Sequence, residues 1–169
     1  MNVHKLFDIK FYPILFIGIF FILQSCTKDS FFNEYKNVNG TKWHKDSIKS
    51  FSFNVLDTVS KNNIYVNLRN NKDYGFSNIF LIVGIEFPNN YKVTDTLEYK
   101  MTDPRGNFLG TGFSDIKENK LEYKTNVSFP VKGDYHIKVQ QAMRKSQNVD
   151  GLIYLDGITD VGLEIKKVE

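Results

Sequence analysis

Ile79-Phe80-Leu81-Ile82-Val83-Gly84-Ile85-Glu86-Phe87, closed by Pro88-Asn89-Asn90, is apolar at both alternate sets of positions, as in a strand at the centre of a sheet. Working outward, the neighbouring segments repeat with period two. Tyr91, Val93, Leu97, Tyr99 and Met101 alternate with Lys92, Thr94, Thr96, Glu98 and Lys100. Upstream, Ile64, Val66 and Leu68 alternate with Tyr65, Asn67 and Arg69, and Phe51, Phe53 and Val55 with Ser50, Ser52 and Asn54. Downstream, Asp103-Pro104-Arg105-Gly106 puts Pro and Gly where a type I turn wants them. Leu121, Tyr123, Val127 and Phe129 then run to Pro130, Lys132-Gly133-Asp134 turns into Tyr135, Ile137 and Val139, and Val161, Leu163 and Ile165 form the last set. From Trp43 on, no stretch keeps a helical period for ten residues, and only Asp115–Lys120 suits a short helical turn. About eight short strands with turn signals between them predict an all-β domain, an antiparallel two-sheet β-sandwich.

Composition narrows the function classes. With 22 Lys and Arg against 19 Asp and Glu, the chain lacks the clustered basic excess of a nucleic-acid binder. Fifteen Phe and nine Tyr in 169 residues exclude a disordered polar tail. A single cysteine, Cys26, rules out an internal disulfide and any Cys-rich zinc pattern.

Lys5 and Lys10 precede or flank an apolar run from Phe11 to Leu23, broken by Pro13 and Gly18 and too short for a span of about twenty residues. A basic start, a short apolar stretch and a polar exit have the proportions of a secretory signal. The exit Leu23-Gln24-Ser25-Cys26 resembles a bacterial lipobox, which implies cleavage before Cys26 and acylation of that residue. Several acyl chains anchor a protein stably where one would be marginal. The expected organisation is a signal peptide over 1–25, a lipidated tether over 26–40 whose distal half docks through Phe31, Phe32 and Tyr35, and a β-sandwich over 41–169.

Catalytic chemistry has little to build on. His44 and Asp46, two apart on a strand, share a face, but no nucleophile motif accompanies them. His136 falls between Tyr135 and Ile137 on a solvent face. Asn148-Val149-Asp150-Gly151 and Asp156-Gly157-Ile158-Thr159-Asp160 lack the alternating oxygen ligands and closing Glu of a calcium loop, and turn chemistry accounts for them. Gly106, Gly110 and Gly112 match no nucleotide-binding pattern. We therefore expect no enzyme, cofactor, metal or small-molecule substrate. Two loops, 69–78 and 106–113, are rich in aromatics, and Arg69, Tyr74, Phe76, Arg105 and Phe108 are candidate interface residues, unless the rings fold inward to cap the core. Exposed and coplanar, these rings would instead suggest a glycan- or peptide-binding module on a surface lipoprotein.

The series Leu68-Arg69-Asn70-Asn71-Lys72-Asp73-Tyr74 with Phe76-Ser77-Asn78, Thr94-Asp95-Thr96-Leu97-Glu98-Tyr99, Asp103-Pro104, Leu109-Gly110-Thr111-Gly112, Asp115-Ile116-Lys117-Glu118-Asn119, Gln141-Ala142-Met143-Arg144 and Gly157-Ile158-Thr159-Asp160-Val161-Gly162 resembles the GldH family of gliding-motility lipoproteins from the Bacteroidetes. The resemblance implies a non-enzymatic envelope component associated with type IX secretion, with other gliding or secretion proteins as partners and the membrane reached through the lipid anchor. Thr27 after the cysteine, where Asp would signal inner-membrane retention, favours the outer membrane over the inner. The weak resemblance of Lys28-Asp29 to the charged surface-export signal of the phylum favours the periplasmic leaflet over the cell surface. Asp46-Ser47-Ile48, Asp57-Thr58-Val59 and Asp95-Thr96-Leu97 resemble the pattern on which Bacteroidetes attach O-glycans, which makes Ser47, Thr58 and Thr96 candidates, Thr58 first among them.

Overall fold

Alternating apolar and polar residues bury one face of each segment, and two such faces close on each other. A computed structural model describes residues 30–112, 114–145 and 150–168. Cys26, the signal-peptide segment, Phe113 and Asn148-Val149 lie outside the described residues. The strands are β1 (Ser30–Asn37), β2 (Lys42–His44), β3 (Lys49–Val55), β4 (Asn62–Asn70), β5 (Asn78–Glu86), β6 (Lys92–Lys100), β7 (Lys117–Val127), β8 (Gly133–Gln141), β9 (Tyr154–Asp156) and β10 (Ile158–Lys167). They form two four-stranded sheets, ordered β1-β10-β4-β7 and β3-β8-β5-β6, and a ribbon of β2 with β9. Every pairing is antiparallel. The expected sandwich is present, with eight strands in its sheets and the ribbon closing one end.

The core lies between the sheets. Ile64, Val66, Leu68, Val161, Leu163 and Ile165 of the first sheet face Phe51, Leu81, Val83, Ile137 and Val139 of the second, all buried. Phe53 gathers Phe32, Phe129 and Tyr135 at centroid distances of 5.3, 5.5 and 5.8 Å. At the opposite margin two tyrosines tie the sheets together. Tyr99 Oη donates to Glu122 O at 2.6 Å, and Tyr123 Oη donates to Asp95 Oδ2 at 2.8 Å. Burial, together with the Asp95 carboxylate, raises the Tyr123 pKa, and burial first and then Glu122 push Tyr99 up to about 12.

Three sequence readings are corrected. Ser30–Asn37, expected as tether, is a strand along the free edge of the first sheet, paired with β10. Its period is blurred because Glu34 and Lys36, paired across from Leu163 and Val161, face the core side at the sheet margin. There they meet each other at 3.0 Å, and the Lys36 ammonium sits 5.5 Å from the Phe51 ring. Inward charges on an edge strand discourage pairing with another chain. Asp115–Lys120 holds no helical turn: β7 begins at Lys117, with Asn119 facing inward to donate to Asn70 Oδ1 at 2.8 Å. β5 is central but buries only one face, since Phe80 and Ile82 on its outer side remain half-exposed.

Gly157, between β9 and β10, fixes the ribbon end. It adopts φ +83, open to glycine at no steric cost. Its N–H donates to Thr41 O at 2.8 Å, and its carbonyl accepts from Asn71 N at 2.9 Å. A Cβ there would stand 2.2 Å from Tyr74 N. Trp43 of β2 is fully buried nearby and donates through Nε1 to Ser47 O at 2.8 Å.

Candidate functional site

The expected interface residues do not form one surface. Tyr74 is 3% exposed, and its hydroxyl donates to Asn78 O at 2.7 Å, so burial raises its pKa and the ring serves the core. Phe76 and Phe108 lie 6.0 and 6.4 Å from it, centroid to centroid, and pack half-buried against the same cluster. The loop aromatics thus cap the sandwich, and the flat exposed platform of a glycan-binding module is not built from them. Gly157 makes this possible by leaving room for the chain at Tyr74. Arg105 does project into solvent, from a turn closed by Gly106 N donating to Asp103 O at 3.0 Å. Asn107 holds the Asp103 carboxyl below the usual range, first through Nδ2 donating to Oδ2 at 2.9 Å and then through its N–H donating to Oδ1 at 2.9 Å, with a smaller part from Arg105 N donating to Oδ1 at 2.8 Å.

Arg69 belongs to an arrangement that sequence reading missed. Odd-numbered residues of β4 point to the outer face of the first sheet, which places Tyr65, Asn67 and Arg69 in a row. Gly162 of β10 has no side chain, and Tyr35 of β1 fills the gap, its ring within 2.7 Å of where a Gly162 Cβ would stand. From there the Tyr35 hydroxyl crosses to β7 and donates to Glu118 Oε1 at 3.0 Å. Arg69 Nε donates to Glu118 Oε2 at 2.7 Å, and its guanidinium stacks 4.1 Å from the Tyr35 centroid. Burial first, then the Glu118 carboxylate, push the Tyr35 hydroxyl up to about 12. Arg69 is therefore held by two partners of its own chain.

Beside it, Glu164 is buried on this outer face. It receives Lys120 Nζ at 2.7 Å, Ser30 Oγ at 2.8 Å and Asn67 Nδ2 at 3.4 Å, while the Lys120 ammonium also lies 4.1 Å over Tyr65. Burial alone would raise the Glu164 carboxyl, yet these donors outweigh it and hold it below its ordinary value. Asn67 Oδ1 is buried with no hydrogen-bond donor, at a cost of about 1–3 kcal/mol. The outcome is an ordered polar layer that seals the outside of the sheet.

His44 and His136 are each engaged by neighbouring groups at the surface. His44 Nδ1 accepts from Asp46 N at 3.1 Å, and its ring packs 4.8 Å from Tyr154. His136 Nδ1 lies 2.8 Å from Ser52 Oγ on the outer face of the second sheet. β8 is flanked by β3 and β5, so its own backbone donors around His136 are engaged in the ladders. Asp156 pairs with Lys42 at 3.3 Å and Asp160 Oδ2 accepts from Thr159 Oγ1 at 2.8 Å. Among the described residues no three His, Cys, Asp or Glu side chains converge as a metal site. An apolar cavity of about 300 Å³ opens between the sheets, lined by Ile64, Ile85, Phe87, Val93, Val127 and Phe129, with Lys124 also in its wall. Of the glycan candidates, Thr96 is exposed on the outer face of β6, whereas Ser47 and Thr58 are half-buried in turns.

The GldH lipoprotein family matches residues 30–165, the whole of both sheets up to Ile165. A gliding motility lipoprotein GldH homolog of Christiangramia forsetii is 46% identical over 93% of this chain and 96% of its own length. The gliding motility lipoprotein GldH of Flavobacterium johnsoniae is 50% identical over 86% of this chain and 90% of its own. A solved structure of infectious bursal disease virus aligns with 83% of this chain and 33% of its own, at TM-score 0.35 and 13% identity, too loosely to support an argument. The chain belongs to the GldH lipoprotein family.

Proposed function

We propose that this protein is a non-enzymatic component of the gliding-motility machinery associated with type IX secretion. In this reading acyl chains on Cys26 hold it to the periplasmic face of the outer membrane. The observation that carries the reading is the near full-length match to two proteins named for gliding motility. In keeping with a non-enzymatic role, His44 is engaged by Asp46 N and His136 by Ser52 Oγ. The partners are other proteins of the gliding or secretion machinery, with the Asp103–Gly106 turn and its projecting Arg105 as one point of contact. The test is deletion of the gene in a motile host, followed by complementation. Loss of spreading, restored by the wild-type gene but not by Cys26→Ala, is expected, with the variant left unprocessed or soluble. Normal spreading and secretion without the gene would overturn the role, and full rescue by a membrane-bound Cys26→Ala protein would overturn the anchor.

Thr96 is the best placed of the three candidates for an O-glycan, because an exposed strand face admits a bulky group without disturbing the core. Mass spectrometry of the protein from its own host should find added hexose mass on the peptide containing Thr96. An unmodified peptide sinks the idea.

A further inference from the structure

One end of the sandwich gathers Ser30, the β3–β4 turn, the β5–β6 turn and the end of β10. Five large apolar side chains stand in the open there: Phe31, Leu56, Val59, Tyr91 and Val168 are 43, 75, 83, 61 and 41% exposed. The β3–β4 turn that carries Leu56 and Val59 is pre-ordered. Asp57 Oδ1 accepts from Val59 N at 3.0 Å and Ser60 N at 3.1 Å, and Oδ2 accepts from Ser60 Oγ at 2.6 Å and Lys167 Nζ at 3.0 Å. Ordering entropy is thus largely spent before any contact is made. Exposed Lys61 and Lys132 flank the turn.

The chain length says what this end meets. Ser30 follows Cys26 by four residues, which can span at most about 14 Å. β4 alone runs roughly 30 Å along the sandwich, so the opposite end, with Ile153 and Tyr154, lies beyond that leash. We propose that the Ser30 end rests on the lipid surface that holds the anchor. Leu56 and Val59 enter the boundary between headgroups and acyl chains, and Lys61 and Lys132 meet lipid phosphates. The inference rests on acylation of Cys26. It also keeps Thr58, between the two inserting side chains, free of glycan, because a sugar there would hold the turn off the bilayer.

Cys26 is the only cysteine of the chain, so once it is acylated Val59→Cys supplies a single free thiol. The full-length, lipidated Val59→Cys protein, labelled with an environment-sensitive fluorophore, is reconstituted on phosphatidylethanolamine–phosphatidylglycerol vesicles containing a nitroxide-labelled lipid. Ile153→Cys is treated in the same way. Both positions are more than half exposed, so neither substitution touches the core. The expected result is flotation of both proteins with the vesicles, with quenching several-fold stronger at position 59 than at 153. Flotation with equal quenching at the two positions would overturn the proposal and leave the anchor standing. A wild-type protein that does not float would overturn the anchor, and the proposal would fall with it.

Discussion

Gly157→Ala should cost the sandwich at least about 4 kcal/mol, a large share of the stability of an ordinary domain. Two separate penalties combine. The backbone conformation, φ +83, disfavours any residue with a Cβ by about 1–2 kcal/mol. The added carbon would also stand 2.2 Å from Tyr74 N and 2.6 Å from Tyr74 Cα, and backbone cannot swing aside as a flexible side chain can. Relief requires the 71–74 segment to lift away, which breaks the Asn71 N–Gly157 O bond and draws the Tyr74 ring from the core. Gly40→Ala is the internal comparison. Its φ is +63, but its Cβ would meet nothing within 4 Å, so only the conformational cost of about 1 kcal/mol should appear. Urea unfolding of the two variants separates the effects. Equal losses would show that the close approach to Tyr74 is not a constraint.

Phe53→Ala should destabilise by about 3–5 kcal/mol, through lost burial and the cavity left behind. Phe53 is where β1 is captured. Phe31 and Phe32 pack on its ring at 6.0 and 5.3 Å, while Tyr135 stacks on it at 5.8 Å with an interplanar angle of 9°. Removing that ring should loosen β1 before the rest of the sheet, because β1 is an edge strand paired only with β10. Hydrogen exchange would then rise at Phe32–Asn37 more than in β4. A loss below about 1 kcal/mol, or unchanged protection in β1, would place the capture of this strand elsewhere.

Strands whose faces divide cleanly were legible in the sequence. β3, β6 and β8 alternate because one side faces the core and the other solvent, and their inner residues are the ones named from the pattern. β1 was not legible, since Glu34 and Lys36 break the alternation on the side where apolar residues would be expected. The start of β7 was obscured in the same way by Asn119, a buried polar residue whose partner Asn70 lies 49 residues away. Loop aromatics carry no local sign of their exposure. Tyr74 is buried because Gly157, far along the chain, leaves it room and Asn78 O takes its hydroxyl. The polar layer around Tyr35, Arg69, Glu118 and Glu164 joins four strands, and no window of sequence contains it.

The placement of β10 between β1 and β4 has a consequence for how the protein is made. Ser30, in the first strand, finds its partner Glu164 134 residues later, in the last. A chain emerging N-terminus first therefore has nothing for β1 to pair with until almost all of it has been synthesised. Sheets built on such distant pairings close in milliseconds to seconds, slowly on the scale of small domains. β1 thus stays unpaired until the last strand is in place. A truncation that removes Ile158–Lys167 would leave β1 without its one partner strand and β4 with β7 alone, so the ten-residue β10 is what joins the N-terminal strand to its sheet.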